Sequence, residues 1–145
     1  MKAVTLEQMV KTGYRRYFVQ KLPMGYQYHR SSCLYTDPDN PGDPKKPMCI
    51  VGASCTKKML VDSAKSGNTD TEIATMLDEN KDWQLRFGHI GLYALSTLQS
   101  CHDEAAQSSK GQKDIFLNQL DARLRTFCAE HNIPYPGDKA NAKSR

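Results

Sequence analysis

Apolar residues return every three or four positions through most of the chain, and alternate with polar ones over one short stretch. The first helical stripe is Leu6, Met9, Val10, Tyr14 and Tyr17. It opens on "TLEQ", a capping box in which Thr5 accepts from the Gln8 amide while Gln8 reaches back. Gly13 weakens this helix by about 1 kcal/mol relative to alanine, and Pro23 bounds its end. "GYQYHR", Gly25 to Arg30, alternates bulky and polar side chains and predicts a short strand.

Two apolar runs follow, "CLYT" and "MCIVG", read as a pair of strands. Between them lies "TDPDNPGDPKKP", whose prolines block both helix and sheet and predict an exposed loop. From Ala53 the pattern turns helical through "SCTKKMLVDSA", with Gly67 as its stop. "TDTE" reads as a second capping box leading into Ile73, Met76 and Leu77. Trp83 falls in an expected turn. "IGLYALSTLQSCHDEAAQ" is the clearest helix, with Ile90, Leu95, Leu98, His102 and Ala105 sharing a broad face. The last helix, "DIFLNQLDARLRTFCAEH", carries Leu117, Leu120, Leu124, Phe127 and His131 as its seam. The fold class expected is α+β, mainly α: four or five helices against a small antiparallel hairpin or three-stranded patch. Residues 1–137 form one domain and 138–145 a flexible tail.

Length and composition fit this picture. A chain of 145 residues supports one modest core. No apolar run is long enough to span a membrane, and the start lacks the apolar segment of a secretory signal; a soluble, cytoplasmic protein is expected. The five cysteines, odd in number and widely spaced, argue for reduced thiols over a disulfide framework.

Charge is uneven. Residues 1–60 carry ten Lys/Arg and four Asp/Glu, whereas residues 61–145 carry ten and twelve. The basic first half suits an anionic partner or an ordinary solvated surface. Part of the net charge of +4 sits in the tail, so nucleic-acid binding is not indicated.

Arg15, Arg16 and Arg30 mingle with Tyr28 and Tyr35 in that half. Arginine holds phosphate through paired N–H groups and tyrosine stacks on bases, so this mixture suits a nucleotide-like ligand. The same tyrosines suit a small core whose hydroxyls reach the surface. His102, followed by Asp103, is either a ligand-contacting imidazole or a buried histidine that hydrogen-bonds a backbone carbonyl.

No close cysteine pair marks a zinc site, and no metal or other cofactor is expected. Convergence of Cys33, Cys49, Cys101 and His102 remains an alternative to buried thiols. No catalytic motif occurs, and Cys101 and His102 diverge as helix neighbours. No catalytic residue is assigned.

The order "CLY", polar loop, "CIVG", "LSTLQSCHDEAA", "AEHNIPYP" resembles a family of small uncharacterised proteins of tailed phages and prophages. Cys33, Tyr35, Cys49, Gly52, Leu95, Leu98, Gln99, His102 and Asp103 stand on its motif positions. The loop here is longer, and "GASCTKKML" replaces an acidic stretch. The resemblance implies no activity, only a setting: phage accessory proteins that bind host proteins or sequester nucleotide signals. The leading expectation is therefore a non-enzymatic counter-defence protein that sequesters a phosphate-bearing ligand through Arg15, Arg16, Tyr28, Arg30, Tyr35, His102 and Asp103. A host-protein inhibitor and a small enzyme with an activated cysteine are the alternatives. Homo-oligomerisation is left open.

Overall fold

The computed structural model describes residues 1–138; the expected flexible tail, except Asp138, lies outside them. The described chain is mainly helical with one two-stranded antiparallel sheet. The α-helices are α1 (Leu6–Tyr14), α2 (Ile50–Ala53), α3 (Lys57–Lys65), α4 (Ile73–Glu79), α5 (Lys81–Phe87), α6 (Leu92–Ser109) and α7 (Lys113–Glu130). A π-helical turn, Arg15–Val19, extends α1. The strands are β1 (Tyr26–Gln27) and β2 (Ser32–Cys33). More helices form than the four or five expected, because the middle of the chain breaks into short pieces. No described helix is long and apolar enough to cross a membrane.

Local chemistry sets most helix starts. The Thr5–Gln8 capping box forms as read, with both reciprocal bonds present. Thr56 caps α3 through the Met59 amide, so that helix starts after Cys55 and not at Ala53. Gly67, at φ 73°, sits just past its end. The second capping box does not form: α4 begins at Ile73, and its cap residue Glu72 makes no side-chain cap bond. Trp83 lies inside α5, not in a turn, because Asn80 caps a new helix through the Trp83 amide at 3.1 Å.

The expected strand pair is corrected. Cys33 pairs with Tyr26, not with the "MCIVG" run. Met48 makes one isolated parallel bridge to Met24, and Ile50–Ala53 is helical, with the Cys49 sulfur accepting from the Gly52 amide. The reason is steric as well as local. A Cβ on Gly52 would lie 2.1 Å from the Tyr35 carbonyl oxygen. Glycine thus lets α2 turn directly against the Tyr35 backbone.

The core runs through the whole body. Trp83 packs against Tyr35 on one side and Phe87 on another, while Leu95 and Leu98 of α6 and Leu120 and Leu124 of α7 are fully buried. α6 and α7 form the most extensive helix pair, with Lys110 and Gly111 at positive φ turning the chain between them.

Candidate functional site

Two buried polar residues tie the long loop to the helices. Arg16 is 4% exposed. Its guanidinium donates to the carbonyls of Pro44 at 2.7 Å, Pro23 at 2.7 Å and Lys46 at 2.8 Å. Tyr17 donates its hydroxyl to the Met48 carbonyl at 2.6 Å. The polar tip of "TDPDNPGDPKKP" is therefore pinned at its second half by the end of the first helix. Each bond satisfies a carbonyl of a segment that forms no ladder.

The second knot is centred on α6. His102 is fully buried, and its Nε2 accepts from the Gly25 amide at 3.3 Å. That leaves the ring proton on Nδ1, which donates to Asp103 Oδ1 at 2.8 Å. Gln99, one turn earlier on α6, donates to the same oxygen at 2.8 Å and accepts from the Val51 amide at 3.2 Å. Hairpin, α2 and α6 are thus joined through three side chains. His102 is buried, as in the second alternative, but its partners are the Gly25 amide and the Asp103 carboxylate and not a backbone carbonyl.

A cavity of about 430 Å³ opens beside the knot. Leu92, Ser96, Gln99 and Asp103 form one wall; their spacing along α6 puts them on one helix face. The turn Ser31–Cys33 and the segment from Asp70 to Ala74 form the others. Its polar lining is rich in acceptors. Asp103 Oδ1 is held by Gln99 and His102, and no described residue donates to Oδ2. Glu72 is exposed at the edge. Asp70 is paired with Arg30 at 3.0 Å, Arg30 being 58% exposed at the rim.

Cys33 lines this cavity and meets the buried Cys49. Burial first, and the Cys33 thiol beside it second, push the Cys49 thiol far above its ordinary value. Cys55 is pushed up by burial as well. The metal alternative loses a ligand, because Cys101 faces α7, where its thiol donates to the Arg123 carbonyl at 3.7 Å. Among the described residues no group of three or more His, Cys, Asp or Glu is placed to hold a metal ion.

The residues picked from the sequence divide between places. Asp103 lines the cavity, with His102 behind it and Arg30 at its rim. Tyr35 also touches the cavity but is fully buried, its hydroxyl donating to the Thr71 carbonyl at 2.6 Å. It packs on Trp83, which leaves no free face for a base. Tyr28 donates to the Ala106 carbonyl at 2.7 Å and lies outside the cavity lining. Arg15 and Arg16 line a separate cleft that shares no residue with the cavity. A larger depression, about 630 Å³ between α6 and α7, contains none of them.

Gln99, Asp70 and Glu72 were missed as site residues. Gln99 and Asp103 stand four apart on a helix, a spacing that places two polar groups side by side. Nothing in "NTDTE" reveals that Asp70 faces Arg30 across the cavity mouth. Comparison with protein-family models, curated proteins and solved structures gives no match.

Proposed function

We propose that the protein is a non-enzymatic binding protein that takes a nucleotide-type ligand base-first into the cavity beside Asp103. In the phage setting its resemblance suggests, it sequesters that ligand as a counter-defence. One observation carries the reading: a carboxylate fixed through one oxygen, with the other unpaired by any described residue, in a cavity of about 430 Å³. That volume is typical of small-molecule sites.

The electrostatics set the orientation. Asp103 and Glu72 repel phosphate but accept the N–H donors of a base edge. Leu92 and Ile73 offer apolar contact to the ring. Arg30, exposed at the mouth and paired there with Asp70, would meet the phosphate in this reading. Phosphate held by Arg16 is not part of this reading, because Arg16 lines a separate cleft that shares no residue with this cavity. Binding is favoured over turnover: His102 Nε2 is taken by an amide, and the Cys49 thiol stays protonated.

Calorimetry against free bases, nucleosides and cyclic and linear nucleotides tests this. Asp103→Asn should weaken binding by about 10-fold to 100-fold, the worth of a charged hydrogen bond, with the folded circular-dichroism spectrum retained. No heat from any nucleotide, or unchanged affinity in Asp103→Asn, would sink the proposal. The acceptor-rich lining also fits a lysine or arginine side chain of a host protein. A stoichiometric lysate partner displaced by Asp103→Asn, with no nucleotide binding, would replace the first reading by that one.

A further inference from the structure

We propose that the cleft beside Arg16 is an anion site that holds a phosphate group. It measures about 280 Å³ and is lined on its polar side by Thr12, Arg15, Arg16 and Gln20, with Leu22 and Met48 among its apolar residues. No carboxylate lines it.

The buried cation is the central observation. Arg16 lines the cleft although it is 96% buried by its 4% exposure. No described carboxylate is within ion-pair reach of it. Three carbonyl dipoles accept from its terminal nitrogens, but its Nε–H is buried with no partner. A buried charge is normally paired, because dipoles alone replace only part of its lost hydration. Desolvation accordingly lowers the Arg16 pKa from its ordinary value.

The cleft therefore has in its wall a buried guanidinium that meets carbonyl dipoles and, at 5.6 Å, the Tyr17 ring, but no described carboxylate. Arg15 adds a second guanidinium that is free to move, being exposed, and Arg15 makes no ion pair with any described residue. Thr12 and Gln20, whose side chains carry neutral donors, line the same cleft. The π-helical turn over Arg15–Val19 carries both arginines and ends at Gln20; such turns are frequent at functional sites. Guanidinium groups with hydroxyl and amide donors are the chemistry that recognises a phosphate oxyanion. The group is either free inorganic phosphate or the head of a phosphomonoester. The site is independent of the cavity beside Asp103, with which it shares no residue.

Amide NMR titration of the whole chain tests the site, using sodium phosphate and glycerol 3-phosphate separately at ionic strength held constant with chloride. Saturable shifts at the Thr12, Arg15 and Gln20 amides are expected, and the tighter of the two probes identifies the source. Arg15→Gln, at an exposed position that leaves the fold intact, should weaken the tighter probe at least tenfold. Equal shifts with chloride alone, unchanged affinity in Arg15→Gln, or shifts confined to the Arg30 region would overturn the proposal.

Discussion

Replacing His102 by leucine removes the acceptor for the Gly25 amide while keeping a similar apolar volume. That amide belongs to a buried residue and has His102 as its partner at 3.3 Å. An orphaned buried N–H costs about 1–3 kcal/mol. Losing the Nδ1 bond to Asp103 adds about 0.5–1.5 kcal/mol, since Asp103 is 29% exposed and its carboxylate can be rehydrated. Edge contacts of the imidazole with Tyr17 and Phe116, both at 5.6 Å between centroids, add about 0.5–1 kcal/mol. The sum is about 2–5.5 kcal/mol. Urea unfolding followed by Trp83 fluorescence reads it directly. With a slope of about 2 kcal/mol per molar, the midpoint should fall by about 1–2.8 M. Phe116→Leu serves as the packing control. It removes the Phe116 contacts with His102 and Tyr17 but leaves the Gly25 and Asp103 bonds in place, so its midpoint should fall by less than half as much. Equal loss in the two variants would refute the claim that the hydrogen bonds carry the effect, and an unchanged midpoint in His102→Leu would refute the knot itself.

Gly52→Ala drives a Cβ into the Tyr35 backbone, 2.1 Å from its oxygen. Because backbone cannot swing aside, a loss of at least about 2 kcal/mol is expected, readable as a lowered thermal midpoint. Arg16→Met leaves the carbonyls of Pro23, Pro44 and Lys46 without their donor; stability should drop by about 2–4 kcal/mol, and limited proteolysis should shift to residues 37–47. Stability should also fall with rising pH above about 8.5. Burial raises the thiols of Cys49 and Cys55, and that of Cys101 to about 12, so the folded state keeps protons that the unfolded chain has released. Each such thiol is fully stabilising below the unfolded value and contributes a slope of up to about −1.4 kcal/mol per pH unit above it. Urea midpoints from pH 7 to 10.5 check this, and a flat profile would contradict the burial of the thiols.

Much of the helical frame was legible in the chain order of residues. α1, α6 and α7 follow from stripes long enough to show their period, and from local devices such as the Thr5–Gln8 box and the Lys110–Gly111 turn. The hairpin was half legible. "GYQYHR" does contribute β1, but its partner begins at Ser32, not across the proline loop. "MCIVG" misled because four apolar residues carry no distinguishable period. The tie was broken by Gly52 meeting the Tyr35 backbone and by the Gln99 bond to Val51.

The site divides the same way. His102 and Asp103 stood out because polar residues on an apolar face need partners. Which partners they have depends on groups up to 77 residues away, such as the Gly25 amide. Arginine and tyrosine in the first third looked like one ligand-binding mixture. Tertiary packing instead committed Arg16 to carbonyls and Tyr35 to Thr71, and left Arg30 at the acidic cavity and Arg15 at a cleft elsewhere. Sequence alone determined the long helices, the Thr5–Gln8 capping box and the proline-stiffened loop, since these rest on neighbours within a turn or two. Only the folded chain decided where the loop docks, which polar groups are spent on the fold and which face open space, because those bonds join segments that the chain keeps far apart.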